Sequence, residues 1–359
     1  MWIPCNGLIN FKQLTDDFYI KRCIELALKG KGNVAPNPMV GAVIVHDNQI
    51  IGEGYHQYYG EAHAEVNAVN SVEDKTLLKE ATIYVSLEPC AHHGKTPPCA
   101  DLLVQCGFKR VVIGCVDTFS QVAGKGIERL QHAGIDVTVG VLEKACRELN
   151  KRFFTFHEQK RPYVILKWAQ TQDGFIDKKR TNAEKGINWI TGASTKKIVH
   201  HWRAEEVAIL VGKNTVLNDN PSMTVREVNG KNPIRIVLDS QMELTPQFAV
   251  FDGAATTLIL NKFGNKVEGE NEWIKLDSLT PEAILKVLYN RNIQSVIIEG
   301  GKQTLNAFIN ANLWDEARVL TGNVEWKEGV FAPRLPHQYF AEEFQLDQDK
   351  VAIYRYLKG

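Results

Sequence analysis

Three soft donors set the terms for the front half of this chain: His63, Cys90 and Cys99. A metal ion would bring these three together, whatever the distance between them in sequence. Three protein ligands with an open fourth position is the pattern of a catalytic zinc, whereas a structural zinc is closed by four. Glu65 follows His63 by two residues, so it can stand beside a zinc-activated water without being a ligand. His63 taken alone reads as a core histidine, and His92 or His93 would close a structural site as a fourth ligand. A closed site makes no use of Glu65, and this favours the catalytic reading.

The flanking residues fold around that trio as an α/β unit. Thr15-Asp16-Asp17 offers an N-cap and an acidic first turn for a helix reaching about Lys29. Apolar runs at 40–45 and 49–54, with Asp47-Asn48 between them, predict a hairpin. Residues 63–72 read as a helix with His63 and Glu65 in its first turn, and another begins near Pro98-Cys99. Both ligand clusters thus fall at helix starts, where thiolates are favoured. Strands at 81–86, 109–114 and 135–139, with helices at 126–132 and 142–157, complete a three-layer domain over 1–160.

Arg161-Pro162 opens a second α/β domain, 161–359. Its predicted strands are 163–167, 207–211, 234–238, 257–260, 295–298, 316–320 and 351–357, and its helices 194–204, 281–291 and 302–312. The turn-rich stretch 248–273 otherwise resists assignment. Ile298-Glu299-Gly300-Gly301 runs from a strand end into a helix, where glycine allows a phosphate to approach the backbone. No G-x-G-x-x-G follows the first strand, so the standard dinucleotide fingerprint is absent.

Lys+Arg and Asp+Glu both number 42, which leaves no basic footprint for nucleic acid and none for a membrane surface. No apolar run reaches membrane-spanning length, and residues 1–15 lack a signal-peptide pattern. Seven scattered cysteines do not form a disulfide framework, so a cytoplasmic location is expected.

Read together, these motifs resemble one family. His63-Ala64-Glu65 is the first half of the zinc nucleobase-deaminase signature, H-x-E followed by P-C-x-x-C. The second half departs, with eight residues between Cys90 and Cys99 in Pro89-Cys90 through Pro97-Pro98-Cys99. Along with Ala35-Pro36-Asn37-Pro38 and Gly60-Glu61-Ala62-His63, that spacer is similar to the bifunctional deaminase–reductases of riboflavin biosynthesis. In the second half the resemblance rests on Lys167-Trp168-Ala169, Asp173-Gly174, Trp189-Ile190-Thr191, Thr215 through Pro221, Thr224-Val225-Arg226 and Glu299-Gly300-Gly301. Gln170 and Gln172 depart from the pattern, and Asp117-Thr118-Phe119-Ser120 lacks the usual proline pair.

The resemblance implies a cytidine-deaminase-like domain holding Zn2+ and a dihydrofolate-reductase-like domain holding NADPH. It implies a pyrimidine nucleotide substrate, touched in the first domain by Asn37, His56 and Lys95. In the second domain Ile187, Arg203, Met223, Arg226 and Glu299 would line the substrate. Gln170, Trp189, Thr215, Asp219, Ser240, Gly301, Lys302, Gln303, Thr304 and Leu305 would line the cofactor. Glu65 is expected as the proton shuttle of deamination, and Lys167 and Glu299 are candidates for proton transfer during sugar-ring opening, with a structural ion pair as their alternative. A homo-oligomer, dimer or tetramer, is expected. The competing reading is a zinc deaminase whose second domain is non-catalytic or binds RNA.

Overall fold

The computed structural model describes residues 15–91, 97–118, 123–180, 185–335 and 340–356. The chain divides into two compact units, Met1–Lys151 and Arg152–Gly359.

The first unit runs α1 (Asp16–Leu28), β1 (Gly41–His46), β2 (Gln49–Tyr55), α2 (Ala64–Ser71), β3 (Thr82–Leu87), α3 (Cys99–Cys106), β4 (Arg110–Cys115), α4 (Lys125–His132), β5 (Asp136–Val139) and α5 (Glu143–Leu149). Its sheet has the order β2-β1-β3-β4-β5, with β3, β4 and β5 parallel. Asp47 and Asn48 both take positive φ, 48° and 61°, as a two-residue hairpin turn demands. Ala42, Ile44, Ile83, Val85, Val111 and Ile113 pack against Ala64 and Ala68 of α2, Leu103 of α3 and Leu130 of α4. The alternate residue Tyr84 meets Tyr19 of α1 on the other face, at 4.7 Å between ring centroids. Three layers result. A Cβ on Gly54 would lie 2.3 Å from the Ala68 nitrogen, so only glycine lets α2 back directly onto β2.

The helix expected over 142–157 is two helices. Asn150 breaks it because its side chain is engaged elsewhere: Oδ1 accepts from the Met39 N–H and Nδ2 donates to the Met39 carbonyl, both at 2.8 Å. The second piece, α6 (Lys151–Gln159), goes with the second unit from Arg152 onward. Arg152 Nε donates to Glu206 at 2.7 Å, and Phe156 packs on Tyr289. Glu206 has a fully buried carboxylate and also faces Arg318 at 3.5 Å.

The second unit continues β6 (Tyr163–Thr171), β7 (Phe175–Asp177), α7 (Ala193–Glu205), β8 (Ala208–Gly212), α8 (Lys213–Asp219), β9 (Ile234–Leu238), β10 (Thr257–Asn261), β11 (Lys266–Glu268) and β12 (Asn271–Lys275). It ends with α9 (Pro281–Asn290), β13 (Ser295–Ile298), α10 (Lys302–Asn310), β14 (Glu316–Gly322), β15 (Val330–Phe331), β16 (Phe340–Leu346) and β17 (Asp349–Arg355). Ten strands form one sheet in the order β11-β12-β10-β9-β8-β13-β6-β14-β17-β16, and β15 pairs with β7 apart from it. The strands from β12 through β14 run parallel, which requires helices on both faces. Val164, Leu166, Leu210, Ile236 and Ile298 pack under α9 and α10. Ile165 and Ile297 pack under α7, and Ile209, Val211 and Val237 pack with Val216 of α8. All strands read from apolar runs are present, whereas α8, β11 and β12 carry no such run.

Candidate active sites

In the first unit, α2 and α3 start at the same place. His63 is the residue before α2, Glu65 lies in that helix's first turn, and Cys99 is the first residue of α3. Cys90 follows β3, and its carbonyl accepts from the Ala100 N–H at 3.1 Å, which ties the loop to the helix. His63 Nδ1 lies 3.3 Å from Cys99 Sγ and 3.6 Å from Cys90 Sγ, and all three donor atoms fall within 4.8 Å of one another. Three soft atoms converging on one point, with a buried carboxylate beside them, fit a zinc ion with an open position. The hydrogen bond with Cys99 pulls the Cys90 thiol down to about 4, while Cys99 keeps its proton. Burial pushes the Glu65 carboxyl up to about 7, against the pull of the His63 ring.

His56 and Asn37 stand together beside this centre. The His56 Nδ1–H donates to the Ala62 carbonyl at 3.0 Å, and Asn37 Nδ2 donates to His56 Nε2 at 3.1 Å. Both partners require the same neutral tautomer, and burial keeps the ring's pKa low. The His56 and His63 rings meet edge to face at 5.3 Å. Lys95, His92 and His93 lie outside the described residues, as do Phe119 and Ser120.

One supporting residue escaped the sequence reading. Glu88 is buried between β3 and the candidate ligand Cys90, and its carboxylate gathers four backbone donors. Oε2 accepts from Asp117 and Gly124 at 3.2 and 3.1 Å, and Oε1 from Gly126 and Ile127 at 3.0 and 3.4 Å. A carboxylate closing a buried apolar strand was the available signal, because such a charge must be satisfied inside.

In the second unit a cleft of about 1010 Å³ opens at the carboxyl ends of the parallel strands. Lys167, Arg203, Glu299, Ile187 and Met223 line it on the substrate side of the expectation. Trp189, Thr215, Asp219, Ser240, Gly301, Lys302, Gln303 and Thr304 line it on the cofactor side. Gln170, Arg226 and Leu305 are not among its lining residues. Gln170 accepts from Trp168 Nε1 at 2.9 Å, Gln172 donates to Asn323 at 2.5 Å, and Leu305 is buried in the core. Arg226 is held by His200, whose Nδ1 accepts its backbone N–H at 3.0 Å, and by Thr224.

At the floor of the cleft Arg203 meets Glu299 as a fork, Nε to Oε1 at 3.1 Å and Nη2 to Oε2 at 2.7 Å. Lys167 Nζ stands 3.5 Å from Glu299 Oε2. Burial alone would raise the Glu299 carboxyl, but the Arg203 and Lys167 charges together bring it down to about 2. Burial pushes the Lys167 ammonium below its ordinary range, against the pull of Glu299 and with the push of Arg203. Burial raises the Asp219 carboxyl, although Arg180 donates to it at 2.8 Å.

A His/Cys/Cys group fit for zinc in one α/β unit and a cleft at the strand ends of another give the chain two candidate sites. The comparisons with known proteins name its family. Residues 14–115 match the cytidine and deoxycytidylate deaminase zinc-binding region, and residues 162–323 match the RibD C-terminal domain. The riboflavin biosynthesis protein RibD of Aquifex aeolicus is 40% identical over 343 residues, covering 94% of this chain and 95% of that protein. RibD of Escherichia coli is 38% identical over 327 residues, covering 84% and 86%. The crystal structure of the Thermotoga maritima diaminohydroxyphosphoribosylaminopyrimidine deaminase/5-amino-6-(5-phosphoribosylamino)uracil reductase superposes with a TM-score of 0.86 at 37% identity, covering 95% and 98%. Acinetobacter baumannii RibD superposes with a TM-score of 0.85 at 31% identity, covering 96% and 99%. The chain belongs to the RibD family of riboflavin biosynthesis proteins. It is bifunctional, with a zinc-binding deaminase domain and an NADPH-dependent reductase domain of dihydrofolate-reductase-like fold. The reading of a deaminase with a non-catalytic or RNA-binding second domain is not favoured. Among the described residues no helix is long and apolar enough to cross a membrane.

Proposed function

We propose that the chain deaminates 2,5-diamino-6-(5-phosphoribosylamino)pyrimidin-4(3H)-one and then reduces the ribosyl group of the product, giving 5-amino-6-(5-phosphoribitylamino)uracil. The observation that carries this is the pairing of the His63, Cys90, Cys99 and Glu65 cluster with the Lys167, Glu299 and Arg203 cleft on one chain.

His63, Cys90 and Cys99 would hold the zinc, which when bound lowers the pKa of a coordinated water toward neutrality. Glu65 would take one proton from the attacking water and give it to the ring nitrogen, then carry the hydroxyl proton of the addition product to the departing amine, which leaves as ammonia. Its burial beside the ligands keeps the carboxylate in reach of both positions. Asn37 and His56 orient the substrate, their mutual hydrogen bond fixing which group faces it. Lys95 would pair with the substrate phosphate as a point charge.

In the cleft, Lys167 and Glu299 manage the proton at the sugar oxygen as the ring opens, and Arg203 holds Glu299 ionised. The N-terminus of α10 presents Gly301, Lys302 and Gln303 to the cofactor phosphates. NADPH, when bound, supplies the hydride. Ile187 and Met223 shape the substrate end of the cleft, while Trp189, Thr215, Asp219 and Ser240 border the cofactor. Arg226, beyond the lining, is kept for a substrate phosphate reaching out of the cleft.

The two activities are assigned to residues 1–160 and 161–359. Six reduced cysteines among the described residues support a cytoplasmic setting. A homo-oligomer, dimer or tetramer, is read as the working assembly, with exposed Phe263 and Phe331 as apolar surface for it. Light scattering of the purified protein tests that point. For the reaction, the test is mass spectrometry of the product made from the diaminopyrimidine nucleotide. Ammonia loss should occur without NADPH and a further gain of two hydrogens only with it. An unchanged nucleotide in both reactions overturns the reading.

A further inference from the structure

Strands β6, β13, β8, β9 and β10 are consecutive neighbours and all parallel, so their carboxyl ends form one row along the cleft. Lys167 on β6 and Glu299 just past β13 mark one end of that row. Lys302 opens α10 directly after the β13 loop. At the other end Ser240 follows β9 and Lys262 follows β10, and the Lys262 N–H donates to the Ser240 carbonyl at 3.3 Å. Three strand intervals separate β13 from β10, about 14 Å at ordinary spacing. An extended dinucleotide would cover such a span, with its nicotinamide toward Glu299 and its adenosine toward Ser240 on the cofactor reading above.

Charge then distinguishes the cations along the row. Six of them line the cleft. Lys167 and Arg203 face Glu299, Arg180 faces Asp177 and Asp219, and Lys213 faces Glu243. Among the described residues, Lys302 and Lys262 are the two lining cations with no carboxylate within ion-pair distance. NADPH carries two anionic centres, the pyrophosphate and the adenosine 2′-phosphate. A free carboxylate beside the adenosine ribose would favour NADH, and the one that follows β9 is Asp239. It is only 1% exposed and accepts instead from the backbone N–H groups of Glu243 and Leu244.

We propose that Lys262, beside Ser240, receives the 2′-phosphate and selects NADPH over NADH, whereas Lys302 serves the pyrophosphate common to both. This rests on the reading of the cleft as the NADPH site. Lys262 is exposed, so its replacement leaves the core untouched.

The experiment is calorimetric titration of the full-length protein with NADP+ and, separately, with NAD+. Lys262→Gln should weaken NADP+ by about tenfold or more, the size of one charged hydrogen bond, with NAD+ affinity unchanged. Lys302→Gln should weaken both nucleotides alike. Steady-state kcat/KM with NADPH and NADH should follow the same split. An unchanged NADP+ affinity in Lys262→Gln, or an equal loss for both nucleotides, overturns the assignment of Lys262. Failure of the unaltered protein to bind either nucleotide overturns instead the cofactor reading on which it stands.

Discussion

Glu299→Gln removes one charge from a buried trio and leaves Arg203 and Lys167 facing each other without a counter-ion. The cost follows from the carboxyl itself, which titrates at about 2 in place of an ordinary 4.5. A gap of that size corresponds to about 3 kcal/mol held by the ionised form. Loss of one partner from a buried ion pair costs about 3–5 kcal/mol by a separate route, which agrees. Because the folded pKa is depressed, this stabilisation is complete above about 4.5 and fades as the pH falls toward 2. At neutral pH the substitution therefore exposes the whole effect. Six of the seven tryptophans lie in Arg152–Gly359, so tryptophan fluorescence during urea unfolding reports on this unit. With a slope of about 3 kcal/mol per molar for a unit this size, the midpoint should drop by roughly 1 M. Lys167→Met in the same background should restore part of it, since only Arg203 then stays uncompensated. A Glu299→Gln midpoint within about 0.2 M of the parent would show that the trio is not the stabilising element it is taken to be.

The deaminase unit offers sharper separations. Cys99→Ser should lose bound zinc and deamination together, measured by metal analysis and ammonia release; full zinc with normal turnover would remove Cys99 from the site. Glu65→Gln should retain zinc while deamination falls on the order of 10²- to 10⁴-fold, and should still oxidise NADPH when given the already deaminated nucleotide. Near-normal deamination in that variant would end the shuttle role. Glu88→Gln turns one acceptor oxygen into an NH2 group facing N–H donors, so amide exchange at Gly124, Gly126 and Ile127 should accelerate by roughly tenfold or more. Unaltered exchange there would mean that the clamp carries no weight.

Sequence reasoning reached those parts whose cause is local. The apolar runs of β1, β3, β4, β6, β8 and β13 are buried along almost their whole length, so they stand out without any partner in view. The convergence of His63, Cys90 and Cys99 was legible because those residue types have few other uses in that combination. β11 is exposed throughout, and nothing in a solvated strand distinguishes it from a turn. The break at Asn150 depends on Met39, 111 residues away, and the capture of Arg203 depends on Glu299, 96 residues away. Arg203 was read as a residue lining the substrate, and its engagement by that carboxylate was not foreseen. Such pairings are properties of the folded chain, and no window of sequence contains them.

The engagement of α6 with Glu206 bears on how the two activities can be parted. Gene fission, or excision of the reductase in the laboratory, invites a cut at the Arg161-Pro162 punctuation. That cut discards Arg152, the closer partner of a carboxylate buried in the intact fold, and leaves Glu206 with Arg318 at 3.5 Å. Losing the closer of two counter-charges weakens a severed module before any catalytic residue is disturbed. A freestanding reductase therefore inherits its stability only if the scission falls on the amino side of Arg152, so that the helix travels with the sheet it neutralises.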